Sequence, residues 1–240
     1  MEYAVVGAGY AGLRVARALT DMGFDAILYD AGVVGGELRI FEKLEEFKDQ
    51  YGEFISEINE LSEDLDVRKG CVLSTVPFKV LSARGVETCD AKAVICTGAT
   101  DLTPAASRVY GKRVAGIYTL ETALRLLAFG FRIGSRVLVL ARTGGEVVDT
   151  ASSQFVSMDY DVEVVNSTEP AEVFGRKRVE RVEVDGEEFR ADTLVVYGGR
   201  KPFNPRNLNG LMAGNIVECT YDYSAVRKNV DEIIRNHLKE

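Results

Sequence analysis

The sequence has no tryptophan and a single histidine, His237, near its C-terminal end. One terminal histidine leaves nothing from which to build a Ser-His-Asp or Cys-His nucleophilic site. Its four cysteines, Cys71, Cys89, Cys96 and Cys219, are scattered, and no C-x-x-C occurs. That spacing suits reduced intracellular thiols and excludes a redox-active disulfide motif or a recognisable metal or iron–sulfur set. Basic residues are outnumbered, 29 against 37 acidic, for a net charge of −8. An acidic chain does not select nucleic acid or an anionic membrane as a partner. The densest basic cluster, Arg176-Lys177-Arg178, is short and reads as a solvated turn. No apolar run reaches membrane-spanning length, and no signal peptide precedes the first strand-like segment, so the expectation is a cytoplasmic protein without a membrane span.

What the sequence does contain is a soluble globular composition, 46% hydrophobic and 28% charged, in 240 residues. This is enough for one large domain or two small ones. The chain is organised around the stretch from Tyr3 to Asp30. An apolar run, Tyr3 to Val6, enters Gly7-Ala8-Gly9-Tyr10-Ala11-Gly12, a G-x-G-x-x-G turn. A helical pattern follows, carried by Leu13, Val15, Ala16, Leu19 and Met22. A second strand-like run, Ala26 to Tyr29, closes on Asp30, eighteen residues past Gly12. Each part serves dinucleotide binding: Gly7 permits the tight turn, Gly9 admits a pyrophosphate to the backbone, and Gly12 lets the helix pack on the strand. Helix N-terminal amides face the phosphates, and Asp30 accepts from a ribose hydroxyl.

Beyond Asp30, the stretch Ala31-Gly32-Val33-Val34-Gly35-Gly36-Glu37-Leu38 carries adjacent glycines, as a backbone passing close to a bulky ligand would. Apolar residues from Phe41 to Leu65 then recur at helical steps, predicting one amphipathic helix or two joined near Gly52. Val67 to Leu73, Phe78 to Ser82 and Gly85 to Cys89 read as a small antiparallel insertion. Ala93 to Ala99 suits the buried centre of a parallel sheet. A second strand–turn–helix–strand plan follows near Val114: Glu121 to Leu127, Arg136 to Ala141, a helix to Met158, then Val162 to Val165. Its turn, Ala141-Arg142-Thr143-Gly144-Gly145, has Ala141 and Thr143 where the first two glycines would stand. The chain closes on hairpin-like segments, the apolar Thr193 to Arg200, and a last helix from about Asp222 to Leu238.

Taken together, these pieces resemble the FAD-dependent pyridine nucleotide–disulfide oxidoreductase superfamily along nearly the whole chain. The marks are the glycine turn with its acid, the Thr97-Gly98 strand end, the Tyr197-Gly198-Gly199-Arg200-Lys201-Pro202 strand end, and Ala213-Gly214-Asn215 before the final helix. The central region, Gly116-Ile117-Tyr118-Thr119 through Gly134-Ser135-Arg136-Val137-Leu138-Val139, is similar to one branch. That branch holds the larger subunits of dye-linked proline dehydrogenase, sarcosine oxidase and hydrogen cyanide synthase, here in shortened form. The resemblance implies an α/β fold: a Rossmann-like FAD-binding domain with a parallel central sheet (1–113 and 191–240) and a reduced nicotinamide-domain-like unit (114–190).

The same resemblance implies that FAD is held by Gly7, Ala8, Gly9, Tyr10, Ala11 and Gly12 at its pyrophosphate, and by Asp30 and Ala31 at its ribose. Gly35, Gly36 and Leu38 would line the path to the flavin, and Val72 would touch adenine. Thr97 and Gly98 would close over the cofactor, and Gly214 and Asn215 would meet the ribityl chain. Asp30 replaces the usual Glu and Asn215 a frequent Asp. The last helix could point its N-terminus at the flavin, and Tyr221 and Tyr223 could flank the ring or simply pack. No catalytic residue and no metal ligand is assigned. The implied function is a flavoprotein oxidoreductase, or a flavin-bearing subunit of one, acting on an amine or amino acid. Its partners would be a small-molecule substrate or electron acceptor and a second subunit or further copies of the chain. The competing reading is a structural or regulatory module that binds FAD or NAD(P) without turnover. The second unit, lacking its glycines, is expected not to bind NAD(H) or NADP(H) productively.

Overall fold

The computed structural model describes residues 2–238. The chain divides into two compact units: Met1–Arg39, Tyr51–Thr100 and Lys201–Glu240 in the first, Ile40–Gln50 and Asp101–Arg200 in the second. Both are α/β, each with a parallel sheet and a strand–turn–helix–strand unit of Rossmann type.

In the first unit the parallel sheet runs Leu211–Met212, Lys92–Ile95, Glu2–Val6, Asp25–Asp30, Val67–Lys69. Glu2–Val6 lies at its centre, with Val6 opposite Tyr29 on one side and Ile95 on the other. A central strand is covered on both faces, which is why Tyr3 to Val6 is unbroken apolar sequence and why all four are buried. Helix Tyr10–Asp21 makes the crossover to Asp25–Asp30, burying Leu13, Val15, Ala16 and Leu19 at three- and four-residue steps. An antiparallel sheet of Cys71–Thr75, Phe78–Ser82 and Gly85–Cys89 packs Val72, Phe78 and Val80 against Ala4, Val6, Tyr29 and Ile95. Each such buried valine, isoleucine or phenylalanine contributes about 1.5–3 kcal/mol of transfer free energy.

Two details differ from the sequence reading. Val67 to Leu73 is not one strand: Val67–Lys69 pairs parallel with Asp25–Asp30, and the antiparallel sheet starts at Cys71. Gly70 separates them, where a Cβ would lie 2.6 Å from Val80 Cγ1. The long amphipathic stretch is a short helix, Leu38–Phe41, followed by the single helix Glu45–Ser62, with Gly52 inside it. One interior glycine costs a helix about 1 kcal/mol, which the buried Phe47, Tyr51, Phe54, Ile55 and Ile58 outweigh.

In the second unit the parallel sheet runs Ile117–Thr119, Thr193–Tyr197, Arg136–Ala141, Asp161–Asn166. A second sheet, Glu187–Phe189, Val179–Val184, Ala171–Gly175 and Val109–Gly111, covers it. Leu138, Leu140, Leu194 and Val196 meet Val173, Val179, Val182 and Val184 in one apolar core. The sequence-based division fell at 113/114 and 190/191; here Thr193–Tyr197 lies in the second unit's sheet. Among the described residues, no helix is long and apolar enough to cross a membrane.

Candidate cofactor site

The first unit brings its glycine motif into a tight cradle at the C-terminal end of Glu2–Val6. Gly7 has φ +104°, and a Cβ there would lie 2.5 Å from the Cys96 carbonyl oxygen. Gly12 is needed for a different reason: its Cβ would sit 1.8 Å from the Gly7 carbonyl oxygen, so only glycine lets the helix approach the strand. Gly9 has neither constraint. Its backbone is extended (φ −79°, ψ −172°), and a Cβ would meet nothing within 4 Å. It is the N-cap of helix Tyr10–Asp21, with no side-chain cap and no acid in the first turn. A helix start without a carboxylate or hydroxyl on its first amides is free to receive an anion.

Asp30 ties this turn to the following loop. Its Oδ2 accepts from the Ala8 N–H at 2.7 Å, and its Oδ1 from the Gly32 N–H. A carboxylate oxygen accepts two hydrogen bonds, so each keeps capacity for a hydroxyl donor. Ala31 is exposed beside it. Gly35 donates its N–H to the Ala8 carbonyl at 2.7 Å, and a Cβ on Gly36 would lie 3.2 Å from Gly9 Cα. The loop therefore lies directly against the glycine turn.

The other expected residues divide by what their side chains do. The Thr97 hydroxyl donates to the Phe203 carbonyl at 2.6 Å, and Gly98, at φ +79°, accepts the Phe203 N–H through its carbonyl. The Thr97 Cα stands 3.2 Å from the position of a Gly7 Cβ, so this strand end joins the turn. Gly214 reaches it from the far end of the sequence: its Cβ would meet Ala11 Cβ at 2.2 Å, and its N–H donates to Asn229 Oδ1 at 2.7 Å. Asn215 bonds Thr220 through both ends of its amide, each at 2.8 Å. Val72 and Leu38 are buried packing side chains, so any ligand contact from them is through backbone.

The Tyr10 side chain is bound by residues of two other helices. Its hydroxyl donates to Glu57 Oε2 and accepts from Arg227 Nε, both at 2.8 Å. Burial, with the Glu57 carboxylate, pushes the Tyr10 phenol up to about 12. Arg227 also reaches Glu53 and Glu57 at 2.7 Å each, and Arg14 pairs with Glu57 and Asp231. Burial works against the Glu57 carboxylate, yet the hydrogen bonds from Tyr10 and Arg227 and the charge of Arg14 hold it below its usual range. Three helices each supply an i,i+4 pair to this cluster: Tyr10 and Arg14, Glu53 and Glu57, Arg227 and Asp231. The sequence reading did not find it.

The start of the last helix, Tyr223–His237, does not stand open. The Asp222 carboxylate caps it, accepting from the Ser224 and Ala225 N–H groups, which leaves the helix dipole but not those two donors for a ligand. Tyr223 packs edge-on to Tyr10 and Tyr51, ring centroids 5.7 and 5.6 Å away, and its hydroxyl donates to Glu37. Burial pushes the Cys96 thiol up to about 12, so it is a packing group and no nucleophile. Among the described residues no cluster of His, Cys, Asp or Glu could hold a metal ion.

The second unit's turn is built differently. Arg142 fills the space beyond its strand, donating to the carbonyls of Ser107 (2.9 Å), Ser167 (2.7 Å) and Glu169. Helix Glu146–Ser157 places Glu146 and Asp149 in its first turn, where they complement the helix dipole and repel an anion. Titration with NADH and NADPH is expected to show no binding at this turn below about millimolar concentration, a binding free energy of about 4 kcal/mol. Micromolar affinity by calorimetry, lost in a Gly144→Val variant, would contradict this.

Neither a protein-family model nor a curated protein matches this chain. Solved structures share its fold. Histamine dehydrogenase from Rhizobium sp. 4-9 matches with a TM-score of 0.73 at 12% identity, over 100% of this chain and 42% of that one. The 6-hydroxypseudooxynicotine amine oxidase from Pseudomonas geniculata N1 matches at 0.65 and 12%, over 98% and 42%. The HOCl-induced flavoprotein disulfide reductase from Escherichia coli, as its Cu(II) complex, matches at 0.59 and 14%, over 99% and 70%. At these identities the likeness is one of fold, and that fold is the Rossmann-like one expected of FAD-binding proteins.

Proposed function

We propose that this chain is the flavin-holding unit of an FAD-dependent oxidoreductase acting on an amine or amino acid at a C–N bond. The observation that carries the reading is the Gly9 turn: an uncapped helix start with open space where a Cβ would stand, enclosed by Gly36 and anchored by Asp30. A pyrophosphate fits such a cradle, because backbone N–H groups and the helix dipole favour an anion there.

In this reading the Gly7–Gly12 turn holds the pyrophosphate, and the free acceptor capacity of Asp30 takes the adenosine ribose, with Ala31 beside it. Val72 meets adenine through its backbone, and Gly35, Gly36 and Leu38 line the way to the flavin. Thr97 and Gly98 close over it, and Gly214 and Asn215 meet the ribityl chain. Bound FAD would supply the hydride and electron chemistry, which is why the chain needs no nucleophile or metal of its own. What its residues supply is binding and orientation. The second unit is a nicotinamide-type module reduced to a supporting role.

The substrate class is supported by two fold neighbours whose names are an amine dehydrogenase and an amine oxidase. This chain spans 42% of each of them; in this reading a second subunit or further copies of the chain stand beside the flavin. The test is the visible spectrum of the purified protein, identification of the released cofactor, and bleaching by amines, amino acids and NAD(P)H without oxygen. A flavin spectrum bleached by an amine or amino acid is the expected result. A protein that neither carries nor takes up FAD would overturn the reading. One that holds FAD but is bleached by none of these would be the non-catalytic module.

A further inference from the structure

We propose that Arg227 is a positioning residue for the cofactor turn, acting through the Tyr10 hydroxyl; the inference rests on the flavin reading above. Tyr10 immediately follows Gly9 and opens the helix whose first amides form the cradle. A residue at this place in an anion site needs its backbone held still, because the amides must be aimed before the ligand arrives. Its side chain supplies the hold. Tyr10 is 3% exposed, and its hydroxyl lies between a carboxylate that accepts from it and a guanidinium that donates to it. Arg227 is fixed in turn by Glu53 and Glu57, and it stacks over the Phe54 ring at 4.7 Å.

The same stretch of the last helix reaches the cradle twice more. Asn229 holds the Gly214 N–H, bringing Gly214 against Ala11, and Asp231 holds Arg14 one turn beyond Tyr10. Residues 227–231 thus hold the first two turns of the N-terminal helix and the Gly214 loop. The arrangement makes cradle geometry depend on a helix more than 200 residues away in sequence.

The test is a cycle of four proteins, unsubstituted, Tyr10→Phe, Arg227→Met and the double variant, each stripped of flavin and titrated with FAD by fluorescence well below its melting temperature. Glu232→Gln, an exposed change on the same helix, is the control. We expect each single variant to bind FAD about tenfold more weakly and the double variant to be no worse than the singles, since interacting residues are non-additive. A merely structural role would lower the melting temperature of the stripped protein without changing the affinity of its folded fraction. Unchanged affinity in both singles, with Gly9→Val still losing FAD, would overturn this inference and leave the flavin reading standing. Failure of the unsubstituted protein to bind FAD would overturn both.

Discussion

A Gly9→Val protein is expected to fold normally and to purify without flavin, whereas Gly12→Ala is expected to fail at the level of the fold. The two glycines belong to one motif and do different jobs. At Gly9, φ is −79°, which any L-residue adopts, and the Cβ of the new side chain would meet no protein atom within 4 Å. Valine is a poorer N-cap than glycine, so the folded state loses on the order of 1 kcal/mol, too little to unfold the unit. The space the valine takes is the space in which a pyrophosphate would meet the backbone, so FAD affinity should fall by about a hundredfold or more, some 2.7 kcal/mol. At Gly12 the added Cβ would lie 1.8 Å from the Gly7 carbonyl oxygen, a backbone atom that cannot swing aside. The helix would have to lift off the central strand, costing about 3 kcal/mol or more by analogy with overpacked cores. Flavin absorbance relative to protein, read beside a thermal melt, separates the two outcomes. A Gly9→Val protein with full flavin content would remove the cofactor site from this turn.

The glycine turn was legible in the sequence because its constraints are local. The spacing of Gly7, Gly9 and Gly12 is compact, Gly12 answers to the Gly7 carbonyl five residues before it, and the strands beside them carry unbroken apolar runs. The limit on Gly7, however, comes from Cys96 on a neighbouring strand, and no protein atom limits a Cβ at Gly9. Gly35 and Gly36 are read from sequence only as backbone passing close to a ligand; their contact with Ala8 and Gly9 is visible only in the fold. The cluster of Tyr10, Glu57 and Arg227 was not legible: its members sit on three helices, 47 and 170 residues apart, and each alone resembles a solvated or packing residue. The Asp222 cap was legible but not read: aspartate before a helix is a capping signal, and it stands in the sequence where the helix is expected to begin. Val67 to Leu73 misled because period and composition do not mark the glycine at which a chain changes sheets. Buried charge is the hardest feature to see, since acids and arginines are almost never fully buried unless paired.

Asp101 and Arg200 are such a case, and Asp101→Ala is expected to destabilise the second unit by about 3 kcal/mol, the lower end of the range for breaking a buried pair. Both side chains are almost wholly withdrawn from water, at 1% and 2% exposure, with Asp101 Oδ1 3.6 Å from Arg200 Nε. Asp101 has a second task. Its Oδ2 accepts from the Glu121 N–H at 2.7 Å, in the first turn of helix Leu120–Ala128, and its own N–H donates to Glu121 Oε2 at 3.2 Å. Alanine removes the carboxylate facing a guanidinium that cannot neutralise itself by losing a proton, and it strips an acceptor from a helix start. Asp101→Asn retains an acceptor for Glu121 and should recover part of the loss, leaving the charge imbalance as the remainder. Replacing both residues, as Asp101→Leu with Arg200→Met, should recover more than Asp101→Leu alone, because an apolar pair has no uncompensated charge. Urea midpoints for the set, converted with a common slope, give the comparison. A double variant less stable than Asp101→Leu by the full cost of Arg200→Met would mean that the two side chains act independently, and the buried pair would not be what holds this corner of the unit.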